Sequence, residues 1–254
     1  MRLLKKHLCL LLLTSLTLLA PLCATAKGKL VLIIDDVGYN KQDIDAITLP
    51  GAVTFAVLPH TPYSLDYAQQ AHDAHKDVML HIPMESLNGK ALGPGALMAD
   101  MNQQQTERIL TAAYAQIPFA IGINNHMGSL LTQMDGPMTW TMNFLQRHQL
   151  FFVDSKTSRF SQAETLAKKI GVASFHRHVF IDNDLSEAAM EKQFNHLIRI
   201  AQRYNHAIGI AHPYPATVKF LNKYLPQLDK HGVELVPISQ LLPASPSRSA
   251  KIAE

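Results

Sequence analysis

Leu30-Val-Leu-Ile-Ile-Asp-Asp-Val-Gly38 sets five consecutive apolar residues against two carboxylates and a turn-forming glycine. A run this short and this rich in branched side chains, closed by a turn signal, reads as a strand buried on both faces. Comparable runs recur at Val53 to Leu58, Val78 to Leu80, Phe119 to Ile123, Phe151 to Val153, Val179 to Ile181, Ala207 to Ala211 and Val233 to Val236. Helical patterns separate them. Asn102 with Gln105, and Ser161 with Glu164, have the spacing of capping boxes ahead of apolar periodic residues. Asp135 followed by Pro137 opens another helix; a longer one spans about Ser186 to Tyr204 with Met190, Phe194, Leu197, Ile198 and Ala201 on one face, and a last one follows Pro215. Regular alternation of strand and helix implies a parallel sheet with right-handed crossovers. About eight strands without a Gly-x-Gly-x-x-Gly turn predict a single-domain α/β fold, an irregular (β/α) barrel of seven or eight parallel strands.

The ends of the chain read differently. Arg2, Lys5 and Lys6 precede an apolar run from Leu8 to Ala20, and Ala24-Thr-Ala26 follows. That order predicts a signal peptide over residues 1–26, with cleavage near Ala26 and a periplasmic or secreted product; the alternatives are an uncleaved anchor or lipid attachment at Cys23. The apolar run is shorter than the roughly 20 residues of a spanning helix, so no membrane span is expected after cleavage. Both cysteines, Cys9 and Cys23, lie in this segment, which leaves residues 27–242 without a disulfide or thiolate ligand. Without the leader, basic and acidic residues number twenty each, and no Lys/Arg block marks a nucleic-acid surface. Residues 243–254 form a polar tail, expected to be disordered.

Chemistry collects where the apolar runs stop. The runs end in Asp35-Asp36, His81-Ile-Pro-Met-Glu85, Asn124-Asn-His126, Asp154-Ser155, Asp182 and His212-Pro-Tyr-Pro215. Strand ends of a parallel barrel converge on one mouth, where such barrels place their reactive groups. Taken singly, each residue has a plain reading: Asp as turn-former or cap, His as a satisfied core or loop residue, Tyr214 as part of a helix start. Adjacent carboxylates are harder to explain away, because Asp35 and Asp36 repel each other and lose solvation unless a cation or proton relieves them. Asp36, His81 and His126 together supply a carboxylate and two imidazoles, which suits a catalytic zinc or a similar divalent ion. Glu85, Asn125, Asp154, Ser155 and Asp182 are further candidates. The remaining histidines of the mature chain, and Trp140, read as surface or structural.

The ordered motifs Ile33-Ile-Asp-Asp-Val-Gly38, His81-Ile-Pro-Met-Glu85, Asn125-His-Met-Gly-Ser129, Val153-Asp-Ser155 and Gly209-Ile-Ala-His-Pro213 resemble the divergent polysaccharide deacetylase family. This is a branch of the carbohydrate esterase deacetylases, and the likeness runs from about Lys29 to Leu242. The resemblance implies Asp35 as general base, Asp36 as metal ligand and His212 as the group that protonates the leaving group. His81 matches the first of two metal-binding histidines spaced four apart. Glu85 stands in place of the second, which leaves His126 or Glu85 as the third ligand. An arginine that the resemblance would put near the fourth strand has no counterpart from Asn124 to Ser129. One divalent ion, zinc by ligand type, and an acetylated glycan of the cell envelope are the implied cofactor and substrate. The two departures support a rival, a catalytically degenerate barrel that serves as a periplasmic glycan-binding or envelope-assembly protein.

Overall fold

The structure is a computed structural model and describes residues 27–243. The expected signal peptide and all but the first residue of the polar tail lie outside the described residues. Those described form a curled, wholly parallel sheet wrapped by helices. In chain order the elements are β1 (Gly28–Val37), α1 (Ile44–Ile47), β2 (Thr54–Val57), α2 (Ser64–Asp73), β3 (Val78–Met84), α3 (Gln103–Gln116), β4 (Gly122–Met127) and α4 (Asp135–Arg147). Then follow β5 (Phe151–Asp154), α5 (Ala163–Ile170), β6 (Ser174–His176), β7 (Val179–Phe180), α6 (Glu187–Tyr204), β8 (His206–Ala211), α7 (Pro215–Tyr224) and β9 (Val233–Leu235). The sheet runs β6-β5-β4-β3-β2-β1-β8-β7, and β9 pairs with the first residues of β1.

The edge strands of that order, β6 and β7, are consecutive in the chain and separated only by Arg177-His178. The main-chain N–H of Arg177 still bonds Asp154 of β5, while that of His178 bonds Ile208 of β8. One segment thus changes partner in mid-course. The barrel is completed there by the polypeptide rather than by a ladder; the path from β6 to β7 holds seven or eight strands according to whether that segment counts once or twice, and β9 adds one more beside β1.

A strand alternates its side chains between two faces, and the two apolar clusters sort accordingly. Leu30, Leu32 and Ile34 of β1, Leu80 and Ile82 of β3 and Ala207 and Ala211 of β8 join the layer between sheet and helices. Val31, Ile33, Met79, Phe151, Val153, Ile208 and Ile210 fill the barrel interior. Close packing of the outer layer has a local requirement at Gly28, where a β-carbon would stand 2.5 Å from the main-chain oxygen of Ala201 in α6. No described helix is long and apolar enough to cross a membrane.

Several boundaries differ from the sequence expectation. β1, β3 and β4 continue through the motifs instead of stopping before them, so Asp35, His81 and His126 are strand residues. β4 begins at Gly122, and Phe119 lies ahead of it, stacked with His72. The box at Asn102 and Gln105 forms with both hydrogen bonds. The one expected at Ser161 does not: the helix starts a residue later than that box requires, and Glu164 pairs with Lys156 and His176 instead. Ion pairing across elements overrode the local cap.

Candidate metal centre and active site

Alternation explains how the mouth is furnished. Asp35 continues the inward series Val31, Ile33; His81 follows Met79; Asn124 and His126 follow Gly122; and His212 follows Ile208 and Ile210. Asp36 has the wrong parity for this face. It adopts a left-handed backbone with φ 60°, and the β1–β2 register shifts between Ile34 and Val37. Such an irregularity re-aims a side chain, and a left-handed conformation is one that aspartate tolerates better than most residues. The result is two neighbouring carboxylates at one mouth.

Asp36, His81 and His126 each offer a ligand atom, all within 4.8 Å of one another. Asp36 Oδ1 lies 2.7 Å from His126 Nδ1 and 3.1 Å from His81 Nε2. That oxygen is buried without a hydrogen-bond partner although both ring nitrogens are in range. His81 Nδ1 is 2.7 Å from the amide oxygen of Asn124, whose Nδ2 donates to Asp35 Oδ1 at 2.7 Å. With its proton on Nδ1, a neutral His81 turns the Nε2 lone pair toward a carboxylate oxygen. Two acceptors face each other, and a cation between them removes the conflict. The donor set therefore fits a divalent metal. Glu85 is not in this group; its Oε2 accepts from the Ala99 N–H at 2.6 Å and braces the loop after β3.

Charges in the site displace one another's protonation. Burial holds the fully enclosed Asp35 carboxyl above the ordinary carboxylate range, against the pull of His81 and His212. Burial acts upward on Asp36 too, but His126 and His81 outweigh it and hold that carboxyl well below the usual range. His212 is pushed up to about 9: burial opposes its charge, but Asp182 prevails. Nε2 of His212 points back toward Asp36 Oδ2 at 3.9 Å. Its ring lies between Phe180, at 6.0 Å, and Tyr214, at 5.6 Å. Tyr39 and Tyr214 are partly exposed and border a hollow of about 410 Å³ that reaches Asp36 and His126. A second hollow, of about 570 Å³, lies at the opposite end of the strands beside Lys27 and Val233, away from this chemistry.

The other candidates fall on either side of the divide. Asp182 belongs to the mouth through His212. Asn125 has the opposite parity to Asn124 and ties strand ends together, donating to Met127 O and accepting from Ser155 N–H. Asp154 accepts from Lys156 N–H, with the Lys156 ammonium at 3.3 Å, and the Ser155 hydroxyl is buried without a hydrogen-bond partner. Asn124 was not singled out from the sequence, although its position two residues before His126 in a strand carried the signal.

A curled parallel barrel with an Asp/His cluster at its mouth is the architecture of polysaccharide deacetylase-like proteins. Residues 32–242 match the family described as divergent polysaccharide deacetylase, and the chain belongs to that family. It is 37% identical over 216 residues to the uncharacterized protein YibQ of Escherichia coli K12, covering 85% of this chain and 67% of that one. Among solved structures, an uncharacterized protein of Agrobacterium tumefaciens C58 shares the fold with a TM-score of 0.82 at 23% identity, covering 87% of this chain and 92% of that one. A CE4 family pseudoenzyme from Bacillus anthracis superposes with a TM-score of 0.55 at 14% identity over 85% of this chain and 66% of that one.

Proposed function

We propose that the protein is an exported, metal-dependent hydrolase that removes acetyl groups from a cell-envelope polysaccharide or oligosaccharide. The observation that carries this reading is the buried, unbonded Asp36 Oδ1 facing two imidazole nitrogens at the mouth of a deacetylase-family barrel. Asp36, His81 and His126 would hold the ion, zinc by ligand type, which when bound supplies Lewis-acid polarisation of water and of the acyl carbonyl. Asp35, its carboxyl raised by burial, takes the proton of the attacking water. His212, kept protonated by Asp182, gives a proton to the departing sugar amine or hydroxyl. Tyr39 and Tyr214 at the rim offer aromatic faces suited to a sugar ring. The leader-like order of residues 1–26 supports export to the envelope, where acetylated glycans lie.

The rival is a catalytically degenerate barrel that binds a glycan without turnover, supported by Glu85 in place of the second histidine and by the missing arginine; the Bacillus anthracis neighbour is a pseudoenzyme of the CE4 family. Acetate release from peptidoglycan fragments, chito-oligosaccharides and an activated aryl acetate separates the two, with metal content measured on the same samples. Asp35→Asn is expected to keep the metal and lower turnover about 10²- to 10⁴-fold. A metal-loaded protein that binds a glycan but releases no acetate from any substrate, with Asp35→Asn binding equally well, replaces the hydrolase by the binding module.

A further inference from the structure

Asn124 is fully buried on β4, between the residue proposed as base and one proposed as metal ligand. Its orientation has no freedom. An ionised Asp35 can only accept, so the amide nitrogen of Asn124 must face it, and the amide oxygen is thereby turned to His81 Nδ1. That oxygen in turn requires a proton on Nδ1, which in the neutral ring that a metal needs leaves Nε2 bare on the side of Asp36. The contact also engages Asp35 Oδ1, while Oδ2 lies 3.7 Å from His81 Nε2, toward the ligand group.

We infer that Asn124 is a positioning residue that serves both halves of the site at once, setting the tautomer of His81 for metal binding through its oxygen and aiming the Asp35 carboxylate through its nitrogen. The inference rests on the deacetylase reading above and extends it to a residue outside the ligand and base assignments. A histidine ligand ordinarily gives its second N–H to a carboxylate, a main-chain carbonyl or water. Here a neutral side-chain amide takes that place. It adds no third negative charge beside Asp35 and Asp36, and its other end supplies a donor that no carboxylate or carbonyl could. Leucine at this position would leave Asp35 Oδ1 and His81 Nδ1 buried and unpaired. The amide also occupies the strand from which the expected arginine is missing.

The two ends of the amide can be separated by substitution. Asn124→Ala removes both contacts. Asn124→Asp keeps an acceptor for His81 but, when ionised, gives no donor to Asp35. Zinc affinity by chelator competition, turnover at saturating zinc, and ring ¹H–¹⁵N spectra of the zinc-loaded protein are the readouts, on the mature chain without its leader. Asn124→Ala is expected to weaken zinc binding about 10- to 100-fold and to expose the His81 Nδ1 proton to solvent exchange. Asn124→Asp is expected to hold zinc within about threefold and keep that proton signal, since an acceptor for the ligand histidine remains. Its turnover falls toward that of Asp35→Asn. If Asn124→Ala does not fold, Asn124→Asp with its split between affinity and turnover carries the test alone. Unchanged turnover in Asn124→Asp, or unchanged zinc affinity and ring spectrum in folded Asn124→Ala, overturns the proposal. An unmutated protein that binds zinc but deacetylates nothing defeats the hydrolase reading instead, and the affinity and spectral readouts still judge Asn124.

Discussion

Asp182 grips His212 at two points: one carboxylate oxygen lies 2.9 Å from Nδ1, and the other accepts the main-chain N–H of the same residue at 2.7 Å. Thr217 donates to the second oxygen as well. The imidazole is thus fixed in place and in tautomer, with only Nε2 left for chemistry. Asp182→Asn removes the charge that holds His212 at about 9, so the basic limb of the pH–rate profile should move to lower pH. A limb that stays where it was in Asp182→Asn would refute this role.

His212→Ala should lower glycan deacetylation by about 10²-fold or more, the lower range for a lost general acid. With an activated aryl acetate the deficit should shrink, because that leaving group departs without a proton. Parallel kinetics on the two substrates test it; equal losses on both would assign His212 to binding or folding.

Metal occupancy should follow the geometry. His81→Ala and His126→Ala each remove a ligand atom and Asp36→Asn removes the charge of the third, and zinc content by elemental analysis should fall while the far-ultraviolet spectrum stays folded. Asparagine is the better replacement at 36 because it tolerates the left-handed backbone there. Glu85→Ala should retain zinc, since that carboxylate accepts from Ala99 N–H instead. If Glu85→Ala empties the site and His126→Ala does not, the third ligand has been misassigned.

Acid should weaken the barrel where β6 passes into β7. Burial, then His176 and His206, lower His178 to about 4, while its Nδ1 accepts the Ile208 N–H at 3.0 Å. The folded value lies below the ordinary 6.5, so the unfolded chain binds more protons between them. Stability from this group is complete above about 6.5 and is lost as pH falls toward 4. Thermal melts across that range should show a shallower acid decline in His178→Gln than in the unmutated protein. Parallel curves would remove His178 from the account.

Gly28→Ala should destabilise the fold by about 1–3 kcal/mol, the usual cost of overpacking, because the new methyl meets main chain and not a flexible side-chain tip. For a domain of this size that corresponds to a fall in Tm of about 2–4 °C per kcal/mol. An unchanged melt would mean that α6 shifts freely on β1.

Most of the parallel architecture was legible because Leu30 to Ile34 and its counterparts are apolar on both faces, and a polar residue ending such a run is conspicuous. Less visible were elements with mixed composition. Ser174-Phe-His176 is a strand with one apolar residue, formed because β5 offers a free edge. α2, Ser64–Asp73, buries mainly small residues and one tyrosine, so its periodicity is faint. Alternation alone assigns Asp35, His81, Asn124 and His126 to the interior, but it would send Asp36 outward. That aspartate faces the mouth only through a left-handed residue and a register shift, neither of which a residue pattern encodes. Glu85 was an open choice for the same reason: whether a carboxylate turns to a metal or to a loop N–H depends on where the loop returns.

The two-residue passage from β6 to β7 governs how a chain of this design can grow longer. A loop at the mouth, such as residues 86–96 after β3, can take insertions without moving an inward-facing residue, since Leu97 and Ala99 beyond it are tied back to the end of β3 and α3 starts at its own cap. Arg177-His178 has no such latitude. Phe175 and Phe180 on either side both pack into the interior, and the successive main-chain N–H groups of Arg177 and His178 bond Asp154 of β5 and Ile208 of β8, so an added residue breaks the handover from one strand to the other. Length variation should therefore gather around the mouth and be excluded from the seam, so that the rim can change shape while the circumference of the barrel does not.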